Sequence, residues 1–302
     1  MSKRNSQEAK RAARERLRIE REQQAKKERV RRQLVVAGSI VGVLAIAAGV
    51  GVAVSSMGGN GGEGDNSDWG AAEKLAKKGV GGSVQVEGKA QKYAAPDNAS
   101  GKNGTSIIIG DKKAKHTLGV FEDMRCPICS SFEQANGKVL LEDIEKGKYK
   151  ADFTFGTFLD NNPAGEGTGS RNALSALGAA LNVSPEAFLE YKELLYSKDV
   201  HPEETDDAFA DDKHLVDLAQ DVKELKGNKE FEKAVTNGTY DAWAVKMSKK
   251  FDKSGVTGTP TVKLDGTHLK ANAQGSPPMT PEQFNTLVDQ EIAKSGSKGA
   301  KE

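Results

Sequence analysis

The chain has 302 residues and only two cysteines, which stand three apart in Cys126-Pro127-Ile128-Cys129. The apolar run Thr117-Leu118-Gly119-Val120-Phe121 leads into them. A pair at this spacing, where a strand passes into a helix, can open and close a disulfide during turnover. A purely structural bridge is a weak account of the pair, because closing so short a loop constrains the unfolded chain little. A zinc site typically takes four ligands, and His116, His201, His214 and His268 are scattered along the chain. A cysteine hydrolase uses one thiol with a histidine partner and leaves the second cysteine unexplained. The expectation is thiol redox chemistry with neither metal nor cofactor.

The two sulfurs should not be equivalent. Cys126 precedes the helix, where unpaired N–H groups and the macrodipole favour negative charge, so it is the expected nucleophile and the sulfur attacked in a disulfide. Cys129 lies one turn in, more buried and near enough to close the bridge, which suits a resolving thiol. Pro127 fits the first helical turn, where its missing N–H costs nothing. Ile128 supplies an apolar rim. Arg125 reads either as an electrostatic aid or as an exposed, solvated side chain. By strand alternation Glu122 shares a face with Val120, while Asp123 points the other way and reads as structural. Glu122 is open to two readings, a proton relay or a carboxylate that reaches solvent.

These residues need a strand and a helix to hold them, and the pattern supplies both. Apolar or β-branched runs predict strands at 106–109 and 116–121 around a turn at 110–113. Phe132, Val139, Leu140 and Ile144 recur at helical spacing after Pro127. A phenylalanine-rich strand follows at 150–158. Helical stripes then fill 169–251: Leu174, Leu177 and Leu181; Phe188, Tyr191, Leu194 and Leu195; Leu215, Leu218, Val222 and Leu225; Tyr240, Trp243, Val245 and Met247. The runs 261–264 and 267–269 predict a hairpin about Asp265-Gly266, and Thr280-Pro281-Glu282-Gln283 caps a last helix to about residue 293. The opening strand-helix-strand unit implies a parallel strand pair.

The segment 110–132, with its CxxC, resembles the active-site strand and helix of DsbA-like proteins. Far downstream, Gly255-Val256-Thr257-Gly258-Thr259-Pro260-Thr261 is similar to their second signature. The resemblance covers roughly 106–293. It implies an α/β, thioredoxin-like fold with an inserted helical subdomain, about 169–251, and a cis peptide between Thr259 and Pro260 lying against the cysteines. It also implies that this turn pairs its backbone with a client peptide and keeps metal off the sulfurs. Two positions depart from the pattern. Many relatives carry a buried acid where this chain has Val120, and often a histidine in the dipeptide where it has Ile128.

The N-terminus bears on the compartment. Residues 1–33 carry thirteen Lys or Arg against five Glu, and residues 34–54 are an uncharged stretch long enough to cross a hydrocarbon core of about 30 Å as a helix. The basic flank places 1–33 in the cytoplasm and the rest outside. Both the basic region and the apolar core exceed a cleaved signal peptide, and Ala53-Val54-Ser55 is only a passable cleavage site. No cysteine follows the run to accept lipid. Gly38-xxx-Gly42 and Ala45-xxx-Gly49 allow close helix pairing or simply fill the span. The whole chain is +1, so beyond the basic tail it is acidic and nothing points to nucleic acid. Residues 55–103 read as a flexible extracytoplasmic stalk, Gly-rich over 55–68 and beyond that a mobile segment with room for one short strand and for two helical turns at Ala71–Lys78, with 104–294 the catalytic domain and 295–302 a disordered tail.

The expectation is therefore one transmembrane helix preceding a thiol-disulfide oxidoreductase domain that works as an oxidase. Its partners would be cysteine-containing client proteins, an unidentified oxidant or reductant, and the cytoplasmic membrane, with no nucleic acid. A reductase or isomerase would use the same residues, and the direction is set by reduction potential. A different class of reading is a non-catalytic binding or redox-sensing module whose helical block is a docking face, although stripes of this kind usually pack as core.

Overall fold

A computed structural model of the chain describes residues 68–86 and 89–299. It opens with helix α1 (Trp69–Lys78), capped by the Asp68 carboxylate, which accepts from Ala71 N, and a hairpin of β1 (Ser83–Val86) and β2 (Lys89–Lys92) follows. This corrects the flexible-stalk reading for the described part of 55–103. Ala71, Ala72, Leu75 and Ala76 of α1 are buried, spaced for one helical stripe, and Tyr93 donates its hydroxyl to Asn103 O. Four small apolar residues on one face were enough to dock a helix despite the low overall apolar content.

The apolar runs form one sheet. Its strands are β3 (Ile107–Ile109), β4 (Thr117–Asp123), β5 (Lys150–Gly156), β6 (Thr261–Leu264) and β7 (Thr267–His268), in the order β3-β5-β4-β6-β7. β4 runs parallel to β5, with Glu122 opposite Phe155, and antiparallel to β6, with Val120 opposite Val262. The expected parallel pair is thus β4 and β5, joined by helix α2 (Pro127–Glu145). The β6–β7 turn has φ of 48° at Asp265 and 84° at Gly266, the left-handed pair that Asp-Gly accommodates in a tight hairpin.

Between β5 and β6 lie α3 (Gly169–Val183), α4 (Pro185–Leu195), α5 (Asp212–Leu218), α6 (Lys229–Thr236) and α7 (Asp241–Asp252). The helical stripes are core, with Leu174, Leu177, Phe188, Tyr191, Leu215 and Trp243 fully buried. The last stripe belongs to α7, which packs across β5 rather than only within the insertion. The ring of Phe251, in α7, meets Phe121 of β4 edge-on at 6.3 Å. The strand expected to reach residue 158 ends at Gly156 and turns into a short 3-10 segment at Phe158–Asn161. Helix α8 (Pro281–Gly299) packs on α2 through Phe284, edge-on to Phe132 at 6.3 Å. It runs past residue 293 into the stretch read as a disordered tail. Among the described residues no helix is long and apolar enough to cross a membrane; the basic tail 1–33 and the span expected at 34–54 lie outside them.

Candidate active site

Cys126 is the N-cap of α2, with extended backbone, and its sulfur accepts a hydrogen bond from Cys129 N at 3.4 Å. Pro127 opens the helix as expected. Both cysteines are free thiols, Cys126 with 6% of its surface exposed and Cys129 with none. The Thr259–Pro260 peptide is cis, and the Thr259 carbonyl lies 3.6 Å from Cys126 Sγ. A hydrogen bond from the Cys129 thiol, helped by Thr259 and by the Cys129 N–H, holds the Cys126 pKa below the ordinary thiol value against the opposing effect of burial. Burial pushes the Cys129 thiol well up, and the neighbouring Cys126 and Glu122 add to it. The two sulfurs are thus split in acidity in the direction that their places on the helix dictate.

On one face of β4 the carboxyl of Glu122 is completely buried. It does not reach solvent, so the reading of a solvent-facing carboxylate is corrected. Burial raises its pKa well above the ordinary carboxylate range, and Glu133 raises it further, while Lys192 pulls the other way. Lys192 Nζ lies 3.6 Å from Glu122 Oε2 and 2.6 Å from Glu133 Oε1. Burial alone would lower the lysine, but the two carboxyls more than offset it and keep it charged. Glu133 belongs to α2 and Lys192 to α4, so this cluster joins the cysteine helix to the helical block. A cavity of about 370 Å³ opens between those helices, with Glu133, Lys192, Glu193 and Lys198 in its walls.

On the opposite face Asp123 is also completely buried. Its carboxylate accepts from Ser170 Oγ at 2.6 Å, Arg125 N at 3.1 Å and Leu159 N at 3.2 Å. Its backbone carbonyl accepts from Cys126 N at 3.0 Å and from the Tyr196 hydroxyl at 3.2 Å. Arg125 is neither solvated nor turned toward the sulfurs. Its guanidinium is buried and pairs with Asp207 at 3.2 Å and Asp160 at 3.6 Å, and it donates to Gly165 O and Glu204 O at 2.7 and 2.8 Å. Of the residues named from sequence, Cys126, Cys129, Glu122, Thr259 and Pro260 come together, Ile128 packs half-buried at the rim, and Val120 is plain core. Lys192 and Glu133 went unnoticed. Lys192 stands four residues after Phe188 and one after Tyr191, on the same inward stripe, so helical spacing did place a lysine in the core.

A model of the family described as thioredoxin matches residues 102–290. No curated protein sequence matches the chain. Among solved structures, a disulfide bond oxidoreductase, DsbG, from Mycobacterium tuberculosis in its reduced form is 24% identical, over 63% of this chain and 88% of its own, with a TM-score of 0.51. MdbA, a thiol-disulfide oxidoreductase from Actinomyces oris, is 19% identical over 65% of this chain and 95% of its own, with a TM-score of 0.50. At these identities the likeness establishes a shared thioredoxin-like fold.

Proposed function

The chain belongs to the thioredoxin family, and on that premise we propose that it is a DsbA-like thiol-disulfide oxidoreductase, tethered by residues 34–54 and acting outside the cytoplasm on cysteine-containing client proteins, mainly as an oxidase. The observation that carries this reading is the split pair of thiols. Cys126 is made more acidic at a helix N-cap, and Cys129 is buried and hard to ionise beside a carboxyl whose pKa burial raises. The tether and the compartment rest on the uncharged stretch and its basic flank.

In the oxidase direction a client thiolate attacks Cys126 Sγ of the disulfide. A client–Cys126 bond forms, the Cys126–Cys129 bond breaks, and the electron pair leaves on Cys129. That buried thiolate takes a proton from Glu122, whose raised pKa favours the protonated form, and the Lys192 ammonium compensates the charge left behind. A second client thiolate then attacks the client sulfur of the mixed disulfide. Cys126 departs as a thiolate, held by the Cys129 N–H and thiol, so the client is oxidised and the chain ends reduced, with Cys126 as thiolate and Cys129 as thiol. A separate oxidant must restore the disulfide. Reduction of clients would run the same steps in reverse, and the reduction potential decides between them.

The test is oxidative refolding of a reduced client by the full chain in its disulfide form. Refolding should proceed with the native chain and stop in Cys126→Ala, and a native chain no faster than that variant would overturn the reading. A reduction potential below about −250 mV would assign the reductase direction instead.

A further inference from the structure

The mechanism above uses one of the two buried carboxyls beside the cysteines and leaves Asp123 idle. We propose that Asp123 is a positioning residue for Cys126, a second proton-binding carboxyl that weakens the thiolate when it is ionised and strengthens it when it is neutral. The proposal rests on the reading of Cys126 as the nucleophile.

Geometry carries it. Asp123 stands three residues before the sulfur, and its own carbonyl holds Cys126 N at 3.0 Å. Its carboxyl is sealed from solvent and lacks a close cation, since the guanidinium of Arg125 is turned to Asp160 and Asp207 and that of Arg171 to Asp160. The groups packed around it are Asp160 and Leu159 of the turn after β5, Ser170 and Arg171 at the start of α3, Tyr196 after α4, and Cys126 itself. Beyond these, Asp207 lies behind Arg125, and the half-buried His201 packs on Tyr196 at 5.6 Å between ring centres. Of these, only neutral donors reach the Asp123 oxygens.

The balance of these neighbours gives Asp123 a working range. Burial, then the charge of Asp160, raises its pKa to about 7, against hydrogen bonds from Ser170 and the backbone. Its ionised form in turn opposes ionisation of Cys126. Above neutrality two like charges would share a dry site, and below it the thiolate stands alone.

The experiment is the pH profile of Cys126 alkylation by iodoacetamide in the reduced full chain, read residue by residue by mass spectrometry. The native profile should show an inflection near pH 7 in addition to that of the thiol itself. Asp123→Asn should remove that inflection and leave about twofold more thiolate above it, a modest gain because the Asp123 charge is the smallest of the influences on Cys126. Ser170→Ala should move the inflection to higher pH and Asp160→Asn to lower pH. These opposed movements would not come from a merely structural role, and they remain decisive if Asp123→Asn fails to fold. An inflection that survives in Asp123→Asn, or that Ser170→Ala and Asp160→Asn leave in place, overturns the proposal. A chain whose alkylation follows this pattern but that oxidises no client would overturn the proposed function alone. Ready alkylation of Cys126 without the inflection would overturn only the role of Asp123.

Discussion

Glu122 and Asp123 are neighbours on one strand, both fully buried and both raised in pKa, yet the two faces of β4 treat them differently. The Glu122 face brings in a lysine, a second carboxyl and a cavity between two helices. The Asp123 face brings in hydroxyl and amide donors, and commits its arginines to other acids. Desolvation acts on both alike, so the partners decide what each can do. A carboxyl beside a lysine can pass a proton and have its charge compensated. A carboxyl among neutral donors can only hold a proton or repel its neighbour. The same helical insertion builds both environments, through Lys192 of α4 on one face and Ser170 of α3 on the other.

Removing the cation from each face is the harshest way to break the comparison. Lys192→Met strands Glu133 and Glu122 in a dry site, and Arg125→Met takes the cation from Asp207 and the donor from the buried carbonyls of Gly165 and Glu204. Each should cost about 3–5 kcal/mol, the range for a buried pair that loses one member. Urea unfolding of both variants measures it. A tolerated Lys192→Met would mean that the Glu122 face does not depend on charge compensation at all.

The next effect is on rate. Glu122→Gln keeps the shape of the side chain and cannot supply the proton that Cys129 takes, so client oxidation should slow by about 10²-fold at pH 7. Asp123→Asn should not slow it. Stopped-flow measurement of client oxidation under single turnover separates the two. Equal losses in both variants would erase the functional difference between the faces.

Much of this site was readable before folding. Cys126 and Cys129 announce themselves by spacing, Thr259 and Pro260 through the resemblance of 255–261 to the second signature of DsbA-like proteins, and strand alternation sorted Glu122 from Asp123. Arg125 was misjudged, because an arginine beside a loop is ordinarily wet. Its burial depends on the carbonyls of Gly165 and Glu204 and the carboxylates of Asp160 and Asp207, which arrive from 35 to 82 residues away in sequence. Local pattern cannot carry that distance. The packing of α1 went unforeseen for a related reason, since an alanine stripe shows little hydropathy and its partner surface, α7, lies far along the chain. Charge partners across the fold are the part that sequence spacing does not encode.

Stability against pH sharpens the comparison further. An acid whose pKa is raised in the folded state favours folding while protonated. The contribution of Asp123 is therefore complete below its unfolded pKa of 3.8 and is lost as pH rises through about 7, a loss on the order of 2 kcal/mol once relaxation is allowed for. Glu122, whose pKa burial raises as well, acts with the same sign. Urea midpoints of native chain and Asp123→Asn between pH 4 and 7.5 should show a shallower decline in the variant. An unchanged slope would remove Asp123 from the groups that titrate on folding.

The smallest effect concerns the aromatic packing under each face. On the Glu122 side Phe188 is fully buried, edge-on to Phe153 at 5.8 Å and Phe155 at 6.4 Å. On the Asp123 side Phe158 keeps 36% of its surface exposed and stacks on Phe251 at 5.9 Å. Phe158→Ala should therefore cost about 1 kcal/mol, the worth of one partly exposed aromatic contact, against about 3–5 kcal/mol for Phe188→Ala. Because the Phe158 ring packs on Phe251 and the Asp123 oxygens are held by Ser170 and two backbone amides, the alkylation profile of Cys126 should be unchanged in Phe158→Ala. If that profile moved while stability fell by only this amount, packing on this face, rather than the charge of Asp123, would be what governs the thiol.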